Sequence, residues 1–291
     1  MTSPPPVITL SQLLDTLDLE QVNAEFFVGN QIDEIGHHIS GGHIAAQALM
    51  AASRTVPERL PHSMHMYFLR AGDARHPVDF EVTALHDGGT FSARRVTARQ
   101  FGSVLLEGIA SFSRSVESAV YQQLPPDLPD PESVPTFAEQ HSDHADERGG
   151  WWVREQPIDW RYVDPSARLA SDIAESPASI RMWWRPNGIA PADPVVAGCL
   201  AAFVAGRTLL ESAMIARGTT PLGPGFSALM DLAVWFHHPP DLSDWLLYEQ
   251  HSPSGIGGRG LAQGTMFNRT GQLVCTMTLE CYFGGSRAAS A

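Results

Sequence analysis

The chain has 291 residues, of which 43% are hydrophobic, and it carries a formal net charge of −13. This length and apolar content allow one large core or two medium ones, and the negative charge argues against nucleic acid and anionic membranes as partners. The three cysteines, Cys199, Cys275 and Cys281, lack metal-ligand spacing, so we interpret them as reduced, mostly buried thiols of a cytoplasmic protein.

No signal peptide is predicted, because the first residues are rich in proline and include no basic stretch. The longest apolar runs, such as residues 195–205, are shorter than the roughly 20 residues that span a bilayer. We therefore expect a protein that does not insert into a membrane.

The first part of the chain is predicted to form a sheet wrapped around one helix. Leucines between positions 10 and 19 indicate a short amphipathic helix with Ser11 as its N-cap, followed by a strand at residues 25–30. Residues 44–56 predict a helix that is apolar nearly all round, with glycines at its start. Strands separated by turn signals are predicted at residues 62–70, 78–86, 90–100 and 104–114.

The same order of elements recurs after residues 115–150, whose many Pro, Asp, Glu and Ser residues are typical of a linker. The aromatic residues of 151–161 are expected to pack back onto the body. The repeat consists of a strand at residues 178–185, an apolar helix at 194–215 capped by Asp193, and strands at residues 226–238, 245–252, 258–268 and 273–283. YFLRAGD at 67–73 matches WFHHPPD at 235–241, which favours an internal duplication.

Several segments resemble motifs of the acyl-CoA thioesterase II family. GGHIAAQAL at 41–49 is similar to its GGQ-type helix start, HSMHMYFLRAGD at 62–73 to its HSxHxYFLRPGD strand, and DGGTFSARRV at 87–96 to its DGxSFSxRRV hairpin. In the second half, DLAVWFHHP at 231–239 is similar to DHSxWFHRP, and WLLY at 245–248 and GGRG at 257–260 match the segments after it.

The resemblance implies an α+β double hotdog, with two antiparallel sheets, each wrapped around a central helix, joined in one chain. It divides the chain into an N-terminal hotdog domain (1–114), a linker and surface excursion (115–176) and a C-terminal hotdog domain (177–291). It also implies hydrolysis of a medium- or long-chain fatty acyl-CoA, with no cofactor. The family's hydrolytic Asp, Thr and Gln positions fall on Gly206, Leu229 and Leu279, which can neither activate nor hydrogen-bond a water molecule.

Two residues are candidates to replace the missing catalytic groups. His43 begins the first central helix, where a neutral imidazole can orient water, although a capping or surface histidine is the alternative. Asp231 is the other candidate, although it also suits a structural carboxylate paired with an arginine such as Arg259.

The candidate substrate-binding residues are glycines at the helix start and basic side chains elsewhere. The glycines let an acyl group approach the backbone, or else permit tight helix packing. Arginines on one strand should point to opposite faces, one toward an internal carboxylate and one toward CoA phosphates, unless both are solvated or salt-bridged. The set is Gly41, Gly42, His43, His62, Arg94, Arg95 and Arg259.

No metal site is predicted, because the tandem histidines at 37–38 and 237–238 have no Cys or acidic ligand at zinc spacing. Two functions remain open from the sequence: a thioesterase with a rearranged water-activating site, and a non-catalytic protein that binds acyl-CoA or an acyl chain on the same fold. Because the outer face of a long antiparallel sheet needs cover, we expect the linker to supply part of it and homo-oligomerisation the rest.

Overall fold

The computed structural model describes residues 8–32, 37–116, 119–145, 153–166, 179–220 and 225–285. The Pro-rich start of the chain and most of the linker's second half, both discussed above, lie outside these residues. The predicted elements are present, with shifted ends and several additions.

Five α-helices are described. The first helix is capped by Thr9, whose side chain and Gln12 form a capping box, so the predicted N-cap Ser11 is wrong. Asp193 is confirmed as a cap, because it accepts a hydrogen bond from the Val195 amide at 2.8 Å. The predicted helix at 194–215 is present but breaks at Leu209. The helices are α1 (Leu10–Leu17), α2 (Gly41–Arg54), α3 (Phe137–Gln140), α4 (Pro194–Thr208) and α5 (Leu210–Arg217).

The described strands outnumber the predicted ones, because short strands were missed at 20–21 and 158–162 and the predicted strand at 226–238 is two strands separated by Met230. The strands are β1 (Glu20–Gln21), β2 (Phe26–Gly29), β3 (Leu60–Phe68), β4 (Val78–Asp87), β5 (Phe91–Gln100), β6 (Ser103–Ser113), β7 (Ile158–Tyr162), β8 (Ser179–Pro186), β9 (Phe226–Leu229), β10 (Asp231–Phe236), β11 (Leu246–Ile256), β12 (Arg259–Asn268) and β13 (Leu273–Gly284).

Within the described residues all of these strands belong to one antiparallel sheet, in the order β1-β2-β4-β5-β6-β3-β10-β13-β12-β11-β8-β7, with β9 beside β13. The two halves meet where β3 pairs with β10, and Ala233 lies opposite His65. A half-turn about this point exchanges the Asp231–Tyr67 pair with the Trp235–Ser63 pair. The repeat seen in the sequence is therefore an approximate two-fold axis through the seam.

The central helices α2 and α4 lie side by side on one face of this sheet. They run antiparallel, because Gly42 near the start of α2 contacts Gly206 near the end of α4. Both are buried along most of their length, and alternate strand residues such as Met64, Leu232 and Met277 close the core beneath them. This packing explains why both helix sequences are apolar nearly all round.

Part of the linker covers the outer face of the C-terminal half, as predicted. Val134 packs in a cluster of outward-facing side chains that includes Trp183 and Phe267. The indole of Trp183 donates to the Pro129 carbonyl at 3.1 Å, and the Arg269 side chain binds the linker acids, with Glu132 at 2.8 Å. This half of the sheet therefore has a second apolar layer.

One described helical stretch, Pro194–Arg217, has the length and the apolar composition of a membrane span. The apolar run at residues 195–205 did not predict a stretch of this length. The helical stretch is 24 residues long because α4 and α5 follow each other directly, and 83% of its most apolar window is buried inside the protein. That burial fits the central helix of a folded core.

Candidate active site

The start of α2 lies in an apolar environment with unmatched backbone donors. The first amides of a helix have no intrahelical partner, and among the described residues the N-cap Ser40 supplies no side-chain hydrogen bond to them. A Cβ placed on Gly41 would lie 2.8 Å from Leu229 and 3.4 Å from Phe68. Gly41 therefore lies beside hydrocarbon side chains, whereas Gly42 packs against the backbone of α4 at Phe203 and Gly206.

The three positions aligned with the family's hydrolytic residues lie on or close to this helix start. A Cβ on Gly206 would be 2.5 Å from the Gly42 Cα, so the backbones of α2 and α4 touch there and leave no room for an acid. Leu229 contacts Gly41 and pairs with Cys281. Leu279 is fully buried and lies two residues from Cys281, so its side chain shares the face of Leu229.

This arrangement supplies one of the two requirements of thioester hydrolysis. The free amides and the positive end of the helix dipole can stabilise an oxyanion. The second requirement, activation of water, is not met by Gly206, Leu229 or Leu279. Gly42 itself is explained by packing, since a Cβ on it would lie 2.3 Å from the Phe203 carbonyl oxygen.

His43 is buried and contacts α1, and its catalytic role stays a prediction. Its ring is 2% exposed, and Nε2 lies 2.8 Å from the Thr16 Oγ1 of α1. The ring edge also faces Phe203. His43 therefore joins α1 to the central helices, because its ring points along the helix pair toward α1.

Asp231 lies on the outer face of the sheet, opposite the helices. It accepts a hydrogen bond from the Glu280 amide at 2.8 Å, and burial raises the pKa of its carboxyl, with the nearby Glu280 charge adding to this and the amide opposing it. The predicted pairing with Arg259 is wrong, because that guanidinium lies 3.5 Å from Glu280. Strand alternation separates both residues from the start of α2.

Arg94 and Arg95 do point to opposite faces, as predicted, but both already have protein partners. Arg94 is 6% exposed and donates to Asp87 at 2.8 Å and to Thr55 at 2.9 Å, which fastens the β4–β5 hairpin to the end of α2. Arg95 lies 3.6 Å from Glu107 on the outer face. Neither arginine lies beside Gly41.

His62 lies at the opposite end of the helix pair. It lines a cleft of about 170 Å³ with His237 and Pro194, the first residue of α4. Nε2 lies 2.8 Å from the Ser111 hydroxyl, and burial lowers the pKa of the imidazole. The predicted substrate-binding residues are therefore split between two ends of the fold.

Sequence reasoning missed Phe68, whose ring lies 3.4 Å from a Cβ placed on Gly41, and Phe203, whose backbone carbonyl lies against Gly42. A signal for Phe68 was present, since the repeat matches it with Phe236, which packs 3.6 Å from a Cβ on Gly198 of the other central helix. Among the residues that the structure describes, no group of three or more His, Cys, Asp or Glu side chains is arranged to hold a metal ion.

Comparison with known proteins identifies relatives along nearly the whole chain. Residues 154–282 match the family model described as acyl-CoA thioesterase, and residues 30–113 match the one described as acyl-CoA thioesterase N-terminal domain. The chain is 31% identical to acyl-CoA thioesterase 2 of Haemophilus influenzae, over 93% of this chain and 96% of that protein.

Solved structures give the same result. A tesB protein of Mycobacterium avium subspecies paratuberculosis has a TM-score of 0.79 and 47% identity, covering 94% of this chain and 99% of its own. The acyl-CoA thioesterase II TesB2 of Mycobacterium marinum has a TM-score of 0.76 and 33% identity, with the same coverage. The double-hotdog architecture predicted from the motifs is thereby confirmed.

Replacing Gly206 with Ala tests the contact between the central helices. The added methyl group collides with Gly42, so we expect a loss of about 1–3 kcal/mol in the free energy of unfolding, measured in urea. Gly198→Ala on the same helix is the control, because its Cβ meets nothing closer than 3.6 Å and alanine favours the helix. A Gly206→Ala protein more stable than wild type would contradict the contact.

Replacing Asp231 with Asn tests the burial of its carboxyl. A raised folded pKa means that the native state favours the protonated acid, so wild-type stability falls as pH rises above the ordinary value of about 3.9. The amide keeps an acceptor for Glu280 and does not ionise, so Asp231→Asn should gain stability relative to wild type as pH rises. Asp73→Asn should show the opposite trend in urea titrations across pH, because Arg75 lowers the pKa of Asp73.

Proposed function

This chain belongs to the acyl-CoA thioesterase family, and from that membership we propose that it hydrolyses medium- or long-chain fatty acyl-CoA to free fatty acid and CoA. The observation that carries the proposal is the start of α2, where the Gly41 amide has no intrahelical partner and Gly41 lies beside the side chains of Leu229 and Phe68. A thioester carbonyl bound there meets donors for its oxyanion beside a surface suited to a hydrocarbon chain.

The chemistry then follows from the leaving group. Water adds to the thioester carbonyl and gives up a proton as the negative charge develops on the carbonyl oxygen against the helix start. The C–S bond then breaks to give the fatty acid and the CoA thiolate, which takes up a proton. A thiolate leaves readily because a thiol is a much stronger acid than water. The proposed stabilisation by the amide is stronger beside apolar groups than in water, and Leu229 and Phe68 supply apolar side chains there.

The rate of hydrolysis should be limited by the three altered positions, because their residues cannot activate water. A general base typically contributes about 10²–10⁴-fold, and Gly206, Leu229 and Leu279 provide none. Because all three positions are apolar, none of them carries a buried polar group without a hydrogen-bond partner. This suits a site that keeps its oxyanion donor and activates water with a residue elsewhere.

We further propose that the protein acts in the cytoplasm, without membrane insertion, nucleic acid or cofactor. Cys199, Cys275 and Cys281 are free, buried thiols, which supports a reducing compartment because disulfides are rare there.

Steady-state release of CoA from decanoyl-CoA and palmitoyl-CoA tests the activity. We expect saturable hydrolysis, and a loss of about 10²-fold in kcat/KM in Gly41→Val, whose side chain collides with Leu229 and crowds the amides. Gly89→Val is the matched control, since a Cβ there meets nothing within 4 Å. His43→Ala should lower the melting temperature with little effect on kcat. Tight acyl-CoA binding without release above the buffer rate would instead establish a binding protein.

We also propose that the protein forms homo-oligomers through the outer face near the seam. The linker covers the C-terminal half, but Tyr67 is 58% exposed, Ile109 47% and Trp235 37% on neighbouring strands of the seam. Size-exclusion chromatography with light scattering should give a mass above the 31.6 kDa of one chain, and a lower mass for Trp235→Lys. A wild-type particle with the mass of one chain would contradict the proposal.

A further inference from the structure

The two ends of the central helix pair are built from residues of different size. At one end the second residue of α2, Gly42, touches the thirteenth residue of α4, Gly206. At the other end the equivalent positions are Val195, second in α4, and Ser53, thirteenth in α2. Both side chains line a cleft of about 350 Å³.

The cleft has an apolar floor and a polar rim. Leu14 and Leu17 of α1, Met50 of α2 and Val196 of α4 supply the floor, while Asp18 and Arg54 lie at the rim. Its volume is at the lower end of the range of about 300–1,000 Å³ that is usual for small-molecule sites. An apolar floor with a charged rim is complementary to an amphipathic ligand of modest length.

Arg54 supplies a cation that can change partner. Its Nη2 lies 2.6 Å from the Asp18 carboxylate, and its Nη1 donates to the Leu19 carbonyl. The Asp18 side chain is 84% exposed, whereas that of Arg54 is 28% exposed. An exposed ion pair contributes little stability, so a ligand carboxylate can take the place of Asp18 without a large penalty.

The remaining rim acid does not oppose this exchange strongly. Asp193 directs its Oδ1 at the Val195 amide, 2.8 Å away, where the start of α4 stabilises its charge. We therefore expect an anionic head group to bind the Arg54 Nη2 group that now donates to Asp18.

We propose that this cleft binds a medium-chain fatty acid, with its hydrocarbon chain on Leu14, Met50 and Val196 and its carboxylate on Arg54 in place of Asp18. The ligand class rests on the proposed function, because a fatty acid is the product of acyl-CoA hydrolysis. The cleft lies at the opposite end of the helix pair from Gly41, so the product has a site distinct from the place of its formation.

Isothermal titration of the full-length protein with decanoate, without acyl-CoA, tests the proposal independently of catalysis. We expect saturable binding of one decanoate per chain, weakened about tenfold in Arg54→Gln, where the charge-assisted hydrogen bonds are lost. Asp18→Asn should bind more tightly, because it removes the competing carboxylate. Arg114→Gln, which alters an exposed ion pair with Glu58, should bind as wild type does. Decanol should bind equally to wild type and Arg54→Gln.

Filling the cleft gives a second test that does not involve charge. Val196→Trp and Leu14→Trp each place a large ring over the floor at half-buried positions, and either protein that keeps its wild-type melting temperature should lose decanoate binding. Absence of saturable binding to wild type overturns the proposal, as does weaker binding in Asp18→Asn. Binding that survives both tryptophan variants but is lost in Gly41→Val overturns it as well, because decanoate would then occupy the hydrolytic site.

Discussion

The backbone contact between Gly42 and Gly206 fixes how the two central helices lie on the sheet. With no Cβ on either residue, the helices approach more closely than side chains permit elsewhere. The contact places the start of α2 beside Leu229, near the seam where β3 and β10 join the two halves. The position of the proposed oxyanion donor and the exclusion of an acid from position 206 both follow from this geometry.

The site is apolar because three polar positions have been replaced together. A single polar residue left beside Gly206, Leu229 and Leu279 would be buried without its partners, at a cost of about 1–3 kcal/mol. Replacing all three avoids that cost, and in the proposed mechanism the stabilisation of the oxyanion then depends on the backbone at the start of α2.

A duplicated sequence has produced two unlike halves. The residue pairs of the seam follow the approximate two-fold axis. The linker, however, covers the outer face of one half only. The two ends of the helix pair also differ, with glycines at one end and Val195 and Ser53 at the other. Small differences in side-chain volume have large consequences because protein interiors are close-packed. One end is consequently closed by backbone contact, and the other opens into a cleft.

The sequence by itself determined the family, most of the strands, the apolar central helices, the Asp193 cap and the duplication, because periodicity and capping depend on neighbours along the chain. Tertiary structure decided the rest: the packing of His43 on Thr16, the pairing of Arg259 with Glu280, and the interruption at Met230, whose amide and carbonyl bind two different strands. These features depend on groups that are distant in sequence, and no local pattern specifies which of several possible partners a side chain meets.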